Sequence, residues 1–204
     1  HTKIEQAREM YESLTEEEQK LVTNLDVLEN AEEIYREMAM DAEAVLGEIS
    51  CDEESNSLKG GGVAIQANGT PVFANDAERG KVLSLDGTGS VWLNVTKEDG
   101  SSLLSGSEEL TVSYYSKAGR AETNWAFYAE PNADVQKFGN EYYLGILENG
   151  GKVKAERYLN GRQDSPEAAC PTGWNHIVVV YGANTVKVYV NGARAKETKN
   201  SGSL

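Results

Sequence analysis

Aromatic and charged side chains come together in three short segments of the second half of the sequence. Trp125 lies in the first, Tyr143 in the second, and Glu156, Arg157 and Tyr158 form the third. Aromatic rings offer flat apolar surfaces, while carboxylate and guanidinium groups form directional hydrogen bonds with hydroxyl groups. A few such groups on an apolar surface are typical of a small-molecule site. We therefore take these five residues as candidate carbohydrate-binding residues, with packing within a sheet as the competing interpretation of each.

The sequence lacks the carboxylate spacing that hydrolysis of a glycosidic bond requires. A retaining hydrolase needs two carboxyl groups about 5 Å apart, which on a strand means alternate positions of one face. Glu156 stands beside Arg157 with no second carboxylate at such a position, and Asp86 lies at a predicted turn. His176 opens an apolar run, where a local hydrogen bond is the simpler interpretation. We expect the chain not to be an enzyme.

The two cysteines, Cys51 and Cys170, are too few for a disulfide-dense scaffold or a four-cysteine metal site. One disulfide or two free thiols are both compatible with the sequence.

The formal net charge of −14 argues against nucleic acid and anionic membrane as partners. Both partners are bound through clustered lysine and arginine side chains. The sequence also has no apolar run approaching the 18 or more residues of a membrane span, so we expect no membrane insertion.

Most of the negative charge lies in the first 57 residues, which hold 17 acidic side chains against four basic ones. Apolar residues there recur at steps of three and four, as on one face of a helix. Thr15 followed by Glu18 has the pattern of a capping box at a helix start. The acidic side chains would occupy the solvated faces. The predicted helices cover residues 3–14, 16–23 and 26–47.

After this acidic part the sequence changes to short β-rich runs separated by turn residues. This part holds all but two of the aromatic residues and all but one of the 20 glycines. Val186, Val188 and Val190 alternate with larger or polar residues, whereas residues 177–180 are continuously apolar, as in a strand buried on both faces. No long helical pattern interrupts the series. The pattern indicates a mainly β protein, an antiparallel sandwich or jelly roll.

Four segments of this β-rich part resemble, in order and spacing, the laminin-G-like, concanavalin A-like lectin/glucanase domain. The resemblance covers roughly residues 60–204. Two further segments, residues 125–128 and 156–158, resemble the version of this domain that is appended to secreted bacterial glycoside hydrolases. The four segments are residues 80–90, 110–117, 173–181 and 188–192.

The resemblance implies a jelly-roll β-sandwich that acts as a non-catalytic carbohydrate-binding accessory module of a secreted, multidomain bacterial glycoside hydrolase. Its partners would be a polysaccharide or oligosaccharide and the neighbouring domains of its own polypeptide, at the bacterial surface or outside the cell. The alternative is a structural or protein-interaction module that binds no sugar. Domains of this superfamily commonly hold a structural calcium ion, for which Asp76, Glu78 and Asp86 are the candidate ligands.

The acidic part resembles a short helical module that lies between domains of Gram-positive surface proteins. The resemblance therefore divides the chain into a helical spacer segment over residues 1–50, a linker over residues 51–61 and the sandwich over residues 62–204. Sandwiches of this family end with a glycine-rich strand followed by a final strand. The sequence ends with residues 201–204, before either strand. We expect the sandwich to lack its final strands.

Overall fold

The computed structural model of the chain describes residues 2–38, 45–85, 91–118, 124–129, 143–158, 162–183 and 185–199. Within these ranges, three helices precede fifteen strands. The helices are α1 (Thr2–Glu12), α2 (Glu16–Gln19) and α3 (Leu25–Met38). The first six strands are β1 (Glu48–Cys51), β2 (Leu58–Gly61), β3 (Ala64–Asn68), β4 (Val72–Asp76), β5 (Gly80–Ser84) and β6 (Trp92–Thr96). The others are β7 (Leu110–Ala118), β8 (Asn124–Ala129), β9 (Tyr143–Asn149), β10 (Lys152–Tyr158), β11 (Arg162–Asp164), β12 (Glu167–Ala169), β13 (Gly173–Tyr181), β14 (Thr185–Val190) and β15 (Ala193–Lys199).

The three predicted helices are present, and the capping box at the start of α2 is confirmed. The Glu18 amide donates to Thr15 Oγ1 at 3.3 Å, and the Thr15 amide donates to Glu18 Oε2 at 2.9 Å. The third helix is shorter than predicted. Residues 45–47 are not helical, and β1 begins at Glu48, so the predicted end at residue 47 is wrong. Gly47 costs a helix about 1 kcal/mol relative to alanine, which disfavours its extension this far.

Strands occupy part of the segment predicted to be a linker, namely Cys51 of β1 and residues 58–61 of β2. β1 pairs with β2 in an antiparallel hairpin that aligns Glu48 with Gly61 and Cys51 with Leu58. The polar residues between these strands form its turn. The Glu53 carboxylate in that turn accepts a hydrogen bond from the Lys81 amide at 3.1 Å. Residues 51–61 therefore contain the turn of a hairpin, and their role as a linker stays a prediction.

The chain divides into two compact units. One contains residues 40–108 and 122–124, and within it three antiparallel strand pairs are formed, β1 with β2, β3 with β6, and β4 with β5. The other contains residues 1–39, 109–121 and 125–204 and is built on two larger sheets. The first sheet has the strand order β15-β14-β13-β7, and the second has the order β11-β10-β9-β8 with β12 also paired to β10.

The two larger sheets pack as an antiparallel β-sandwich. Val186, Val188 and Ile177 of the first sheet are buried, as are Ile146 and Val153 of the second. The alternation of valines along β14 is confirmed, because Val186, Val188 and Val190 all lie in the buried core. The Tyr181 hydroxyl donates to the carbonyl oxygen of Gly145 at 2.8 Å, which joins β13 to β9 across the sandwich.

The continuously apolar run in β13 is buried on both faces because a helix covers the outer one. Ile34 of α3 packs against Val178 and Tyr189, and all three side chains are buried. Arg8 Nε donates to Glu32 Oε1 at 2.7 Å, which ties α1 to α3. The helices therefore belong to the same compact unit as the two larger sheets. The domain boundaries given above stay a prediction.

Candidate functional site

Four aromatic rings cluster on the outer face of the second sheet. We call Trp125, Tyr128, Tyr143 and Tyr158 the aromatic face; they come from the adjacent strands β8, β9 and β10. Tyr143 and Tyr158 are aligned across β9 and β10, and their rings stack with centroids 4.4 Å apart. Trp125 meets Tyr143 edge to face at 5.9 Å. Three of the sequence-predicted site residues are therefore brought together by strand pairing.

Trp125 is the exposed member of the aromatic face. The residue is 42% exposed, although its ring also contacts Tyr128, at a centroid distance of 5.1 Å, and Tyr143. Tyr128 is a member of the aromatic face that was not among the five candidate residues, since strict alternation along a strand places residues 125 and 128 on opposite faces. Among the described strands, β8 pairs with β9 alone, so its other edge is not held by a ladder.

Glu156 lies beneath the aromatic face and organises it. Its residue exposure is 3%. Oε2 accepts a hydrogen bond from the Tyr143 hydroxyl at 2.7 Å, and Oε1 lies 2.8 Å from Lys154 Nζ. Burial raises the pKa of Tyr143, and the hydrogen bond to the Glu156 carboxylate raises it further. Glu156 therefore fixes the orientation of Tyr143 and has little surface left to touch a ligand.

Arg157 does not belong to the site, contrary to the sequence-based expectation. Its side chain is fully buried on the core side of β10, where Nη1 donates to the carbonyl oxygen of Gly182 at 2.8 Å. Successive side chains of a strand point to opposite faces, so Glu156 and Tyr158 on the aromatic face put Arg157 in the core. The guanidinium links β10 to the connection between β13 and β14.

The residues proposed for calcium do not form a ligand set in the described part of the chain. Asp76 Oδ1 accepts from the Glu78 amide at 2.9 Å and from the Arg79 amide at 3.3 Å, as in an Asx turn. Glu78 is exposed, and Asp86 lies outside the described residues. Within the described ranges, no three His, Cys, Asp or Glu side chains are grouped as a metal site would need. Calcium binding stays a prediction.

The surroundings of His176 and of the two cysteines indicate structural roles for these side chains. His176 Nε2 lies 2.9 Å from Ser113 Oγ on the neighbouring strand β7, so the contact is a cross-strand one and not the expected local hydrogen bond. The His176 ring stacks on Tyr115 with ring centroids 4.6 Å apart. Cys51 and Cys170 are free thiols, and burial raises the pKa of both. A raised pKa favours the unreactive thiol over the thiolate.

No helix among the described residues is long and apolar enough to cross a membrane.

Comparison with known proteins gives a family and a fold. No curated protein matches the chain. The crystal structure of a tryptophan-to-alanine mutant of HCR D/C VPI 5995 is similar at a TM-score of 0.53 with 11% identity, which shows the fold alone. The match covers 76% of this chain and 39% of that one, so the chain spans well under half of that structure. The sequence model of the "Concanavalin A-like lectin/glucanases superfamily" matches residues 84–204, and the chain belongs to this superfamily.

Proposed function

We propose that the chain is a non-catalytic carbohydrate-binding module that binds its sugar on the aromatic face. The observation that carries this proposal is the 42% exposure of Trp125 within a cluster of four rings. Isolated exposed apolar side chains are common, but an exposed tryptophan backed by three further aromatic rings makes a continuous surface. Such a surface suits the apolar face of a sugar ring.

The absence of catalysis is part of the proposal and is supported by the state of Glu156. This carboxylate is buried and engaged by Lys154 and by the Tyr143 hydroxyl. A nucleophile must reach the anomeric carbon of the sugar, and a general acid must reach the oxygen of the scissile bond. Glu156 is held below the surface by these two partners, so a positioning role fits it better.

The parent protein in this proposal is a secreted, multidomain bacterial glycoside hydrolase. The support is the resemblance of residues 125–128 and 156–158 to modules appended to such enzymes. Residues 125, 128 and 158 of these segments lie together on the aromatic face. A tethered binding module raises the local concentration of its enzyme at a polymeric substrate without altering the chemistry.

A protein-interaction module is the second candidate function, and a feature of the first sheet favours it. On that sheet's outer face, Tyr115 is exposed and stacks on His176, while Lys117 Nζ lies 5.8 Å from the ring centroid of Trp174. Aromatic residues are enriched at protein interfaces, where their broad surfaces act as anchors. This surface would contact a neighbouring domain of the same polypeptide.

A glycan-array screen followed by calorimetric titration tests the first proposal. Aromatic anchors often contribute about 2 kcal/mol or more, so Trp125→Ala should weaken binding roughly thirtyfold. Trp92→Ala is the matched control, because Trp92 is also exposed, at 56%, but lies on β6 in the other unit. Equal affinity of the two variants would contradict the assigned site. Absence of binding by the wild type to any plant or host polysaccharide would favour the interaction module.

A further inference from the structure

Gly145 of β9 is the point at which the Trp125 ring meets the second sheet. A Cβ atom added at Gly145 would lie 2.3 Å from Cζ3 of Trp125, 3.2 Å from Cε3 and 3.3 Å from Cη2. If this Cβ atom lay over the face of the ring at 2.3 Å from Cζ3, its distances to Cε3 and Cη2 would be much shorter than 3.2 and 3.3 Å. The three distances are those of an approach in the plane of the ring. The indole therefore stands on its edge over Gly145, with its faces turned along the sheet surface.

The backbone does not itself require a glycine at position 145. Gly145 is absent from the glycines with positive φ, and it lies within the continuous ladder between β9 and β10. A glycine inside a strand lowers stability, so its presence commonly marks a close approach by another group. Here that group is the Trp125 ring.

The strand at Gly145 is also held from the other side. Its carbonyl oxygen accepts the Tyr181 hydroxyl at 2.8 Å, and the flanking side chains of Leu144 and Ile146 are buried in the core. A methyl group at position 145 therefore cannot be accommodated by moving β9 outwards or inwards without breaking these contacts. The Trp125 ring, which is partly exposed, is the group free to move.

We propose, on the basis of the proposed function, that Gly145 is a positioning residue that seats Trp125 edge-on and so sets the stacking surface offered to the sugar. The glycine itself does not contact the ligand. With any side chain at this position the ring would be lifted or rotated, and the sugar would lose the aligned indole face. Gly145 would then determine affinity through the placement of one ring, with no effect on the fold.

A double-mutant cycle on the full chain tests this role, using Gly145→Ala, Trp125→Ala and the double variant. If Gly145 acts through Trp125, Gly145→Ala should weaken glycan binding roughly tenfold in the wild type and leave affinity unchanged in the Trp125→Ala background. The melting temperature should not fall, since alanine is better than glycine inside a strand. Gly61→Ala is the control, because its Cβ would meet no atom closer than 3.6 Å.

A spectroscopic readout follows the ring independently of any ligand. In a Trp92→Phe/Trp174→Phe background, Trp125 is the remaining tryptophan, and Gly145→Ala should shift its emission maximum and increase its quenching by iodide. Unchanged emission, or an equal loss of affinity in the Trp125→Ala background, would overturn the positioning role. If the wild type binds no glycan, the proposed function fails, and the fluorescence comparison alone decides whether Gly145 seats the ring.

Discussion

Glu156 and Arg157 are adjacent on β10, and their charged groups are buried on opposite sides of the second sheet. The Glu156 carboxylate lies 2.8 Å from Lys154 Nζ beneath the aromatic face, whereas Arg157 Nη1 lies 2.8 Å from the carbonyl oxygen of Gly182 in the core. Each charge has its own partners, so the two do not neutralise one another. The carboxylate supports the aromatic face, and the guanidinium supports the sandwich.

Replacing Arg157 with alanine should destabilise the fold without changing the site. The variant loses charge-assisted hydrogen bonds to Gly182 and Thr185 and leaves a cavity in the core, which together should cost about 3–5 kcal/mol of unfolding free energy. Arg157→Lys should recover little of it, because lysine lacks the planar fork of donors. Urea unfolding gives the free energies. If the Arg157→Ala protein keeps its stability but loses glycan affinity, Arg157 contributes to the binding site and the prediction is wrong.

Replacing Tyr143 with phenylalanine should destabilise the protein and weaken binding. The variant loses the 2.7 Å hydrogen bond to Glu156 and leaves a buried carboxylate with one donor fewer, at a cost of about 1–3 kcal/mol. Thermal unfolding and calorimetric titration measure the two effects. Tyr11→Phe is the control: it removes a tyrosine hydroxyl on α1, keeps the ring that Arg8 contacts, and should stay within about 0.5 kcal/mol of the wild type. Equal stability of both variants would show that Glu156 does not hold Tyr143.

The contact between α3 and the first sheet should contribute directly to the stability of the sandwich. Ile34→Ala removes a buried side chain that packs on Val178 and Tyr189, and we expect a loss of about 2 kcal/mol or more. Val27→Ala on the same helix is the control, because Val27 is 62% exposed and should change stability by less than about 0.5 kcal/mol. Unfolding followed by tryptophan fluorescence should report the loss, since the three tryptophans lie in the β-rich part. A melting of the helices alone would contradict this coupling.

The protein should lose stability at alkaline pH. Burial raises the pKa of Tyr114, Tyr143 and Tyr181 in the folded chain. A group whose folded pKa is raised stabilises the fold fully below its unfolded pKa, about 10 for tyrosine, and this stability is lost as the pH rises above that value. The melting temperature should therefore fall from about pH 10 upwards.

The loss of stability at alkaline pH should be smaller when one of these tyrosines is replaced with phenylalanine. Tyr181→Phe lacks one ionising group, so its melting temperature should depend less steeply on pH above about pH 10. It should be lower at neutral pH, since the hydrogen bond to the carbonyl oxygen of Gly145 is gone. Parallel pH profiles of the variant and the wild type would show that Tyr181 does not contribute.

The sequence predicted the fold class and three of the residues that cluster on the aromatic face, for reasons visible in particular residues. Alternation of apolar residues identified the core side of β14, and the capping box identified the start of α2. Alternation along β10 put Arg157 on the face opposite its neighbours, but composition suggested a binding role for all three. An arginine can satisfy its donors on core carbonyls as well as on a ligand, so its type alone did not decide the side.

Two other features depend on pairing between strands. The pairing of β1 with β2 shows that the predicted linker, residues 51–61, contains strand residues. The seat of Trp125 depends on the missing side chain of Gly145, twenty residues away on the neighbouring strand. A glycine inside a strand signals a close approach, but not which group approaches.

The packing of Ile34 on Val178 and Tyr189 also decides where this chain can be cut for expression or fusion. A fragment that starts after the predicted linker would present the outer face of β13 and β14 to water, and exposed apolar patches of this kind promote self-association. Helix α3 therefore shields this face from water, and a recombinant module that avoids self-association has to include α3 and not start at the first strand of the sandwich.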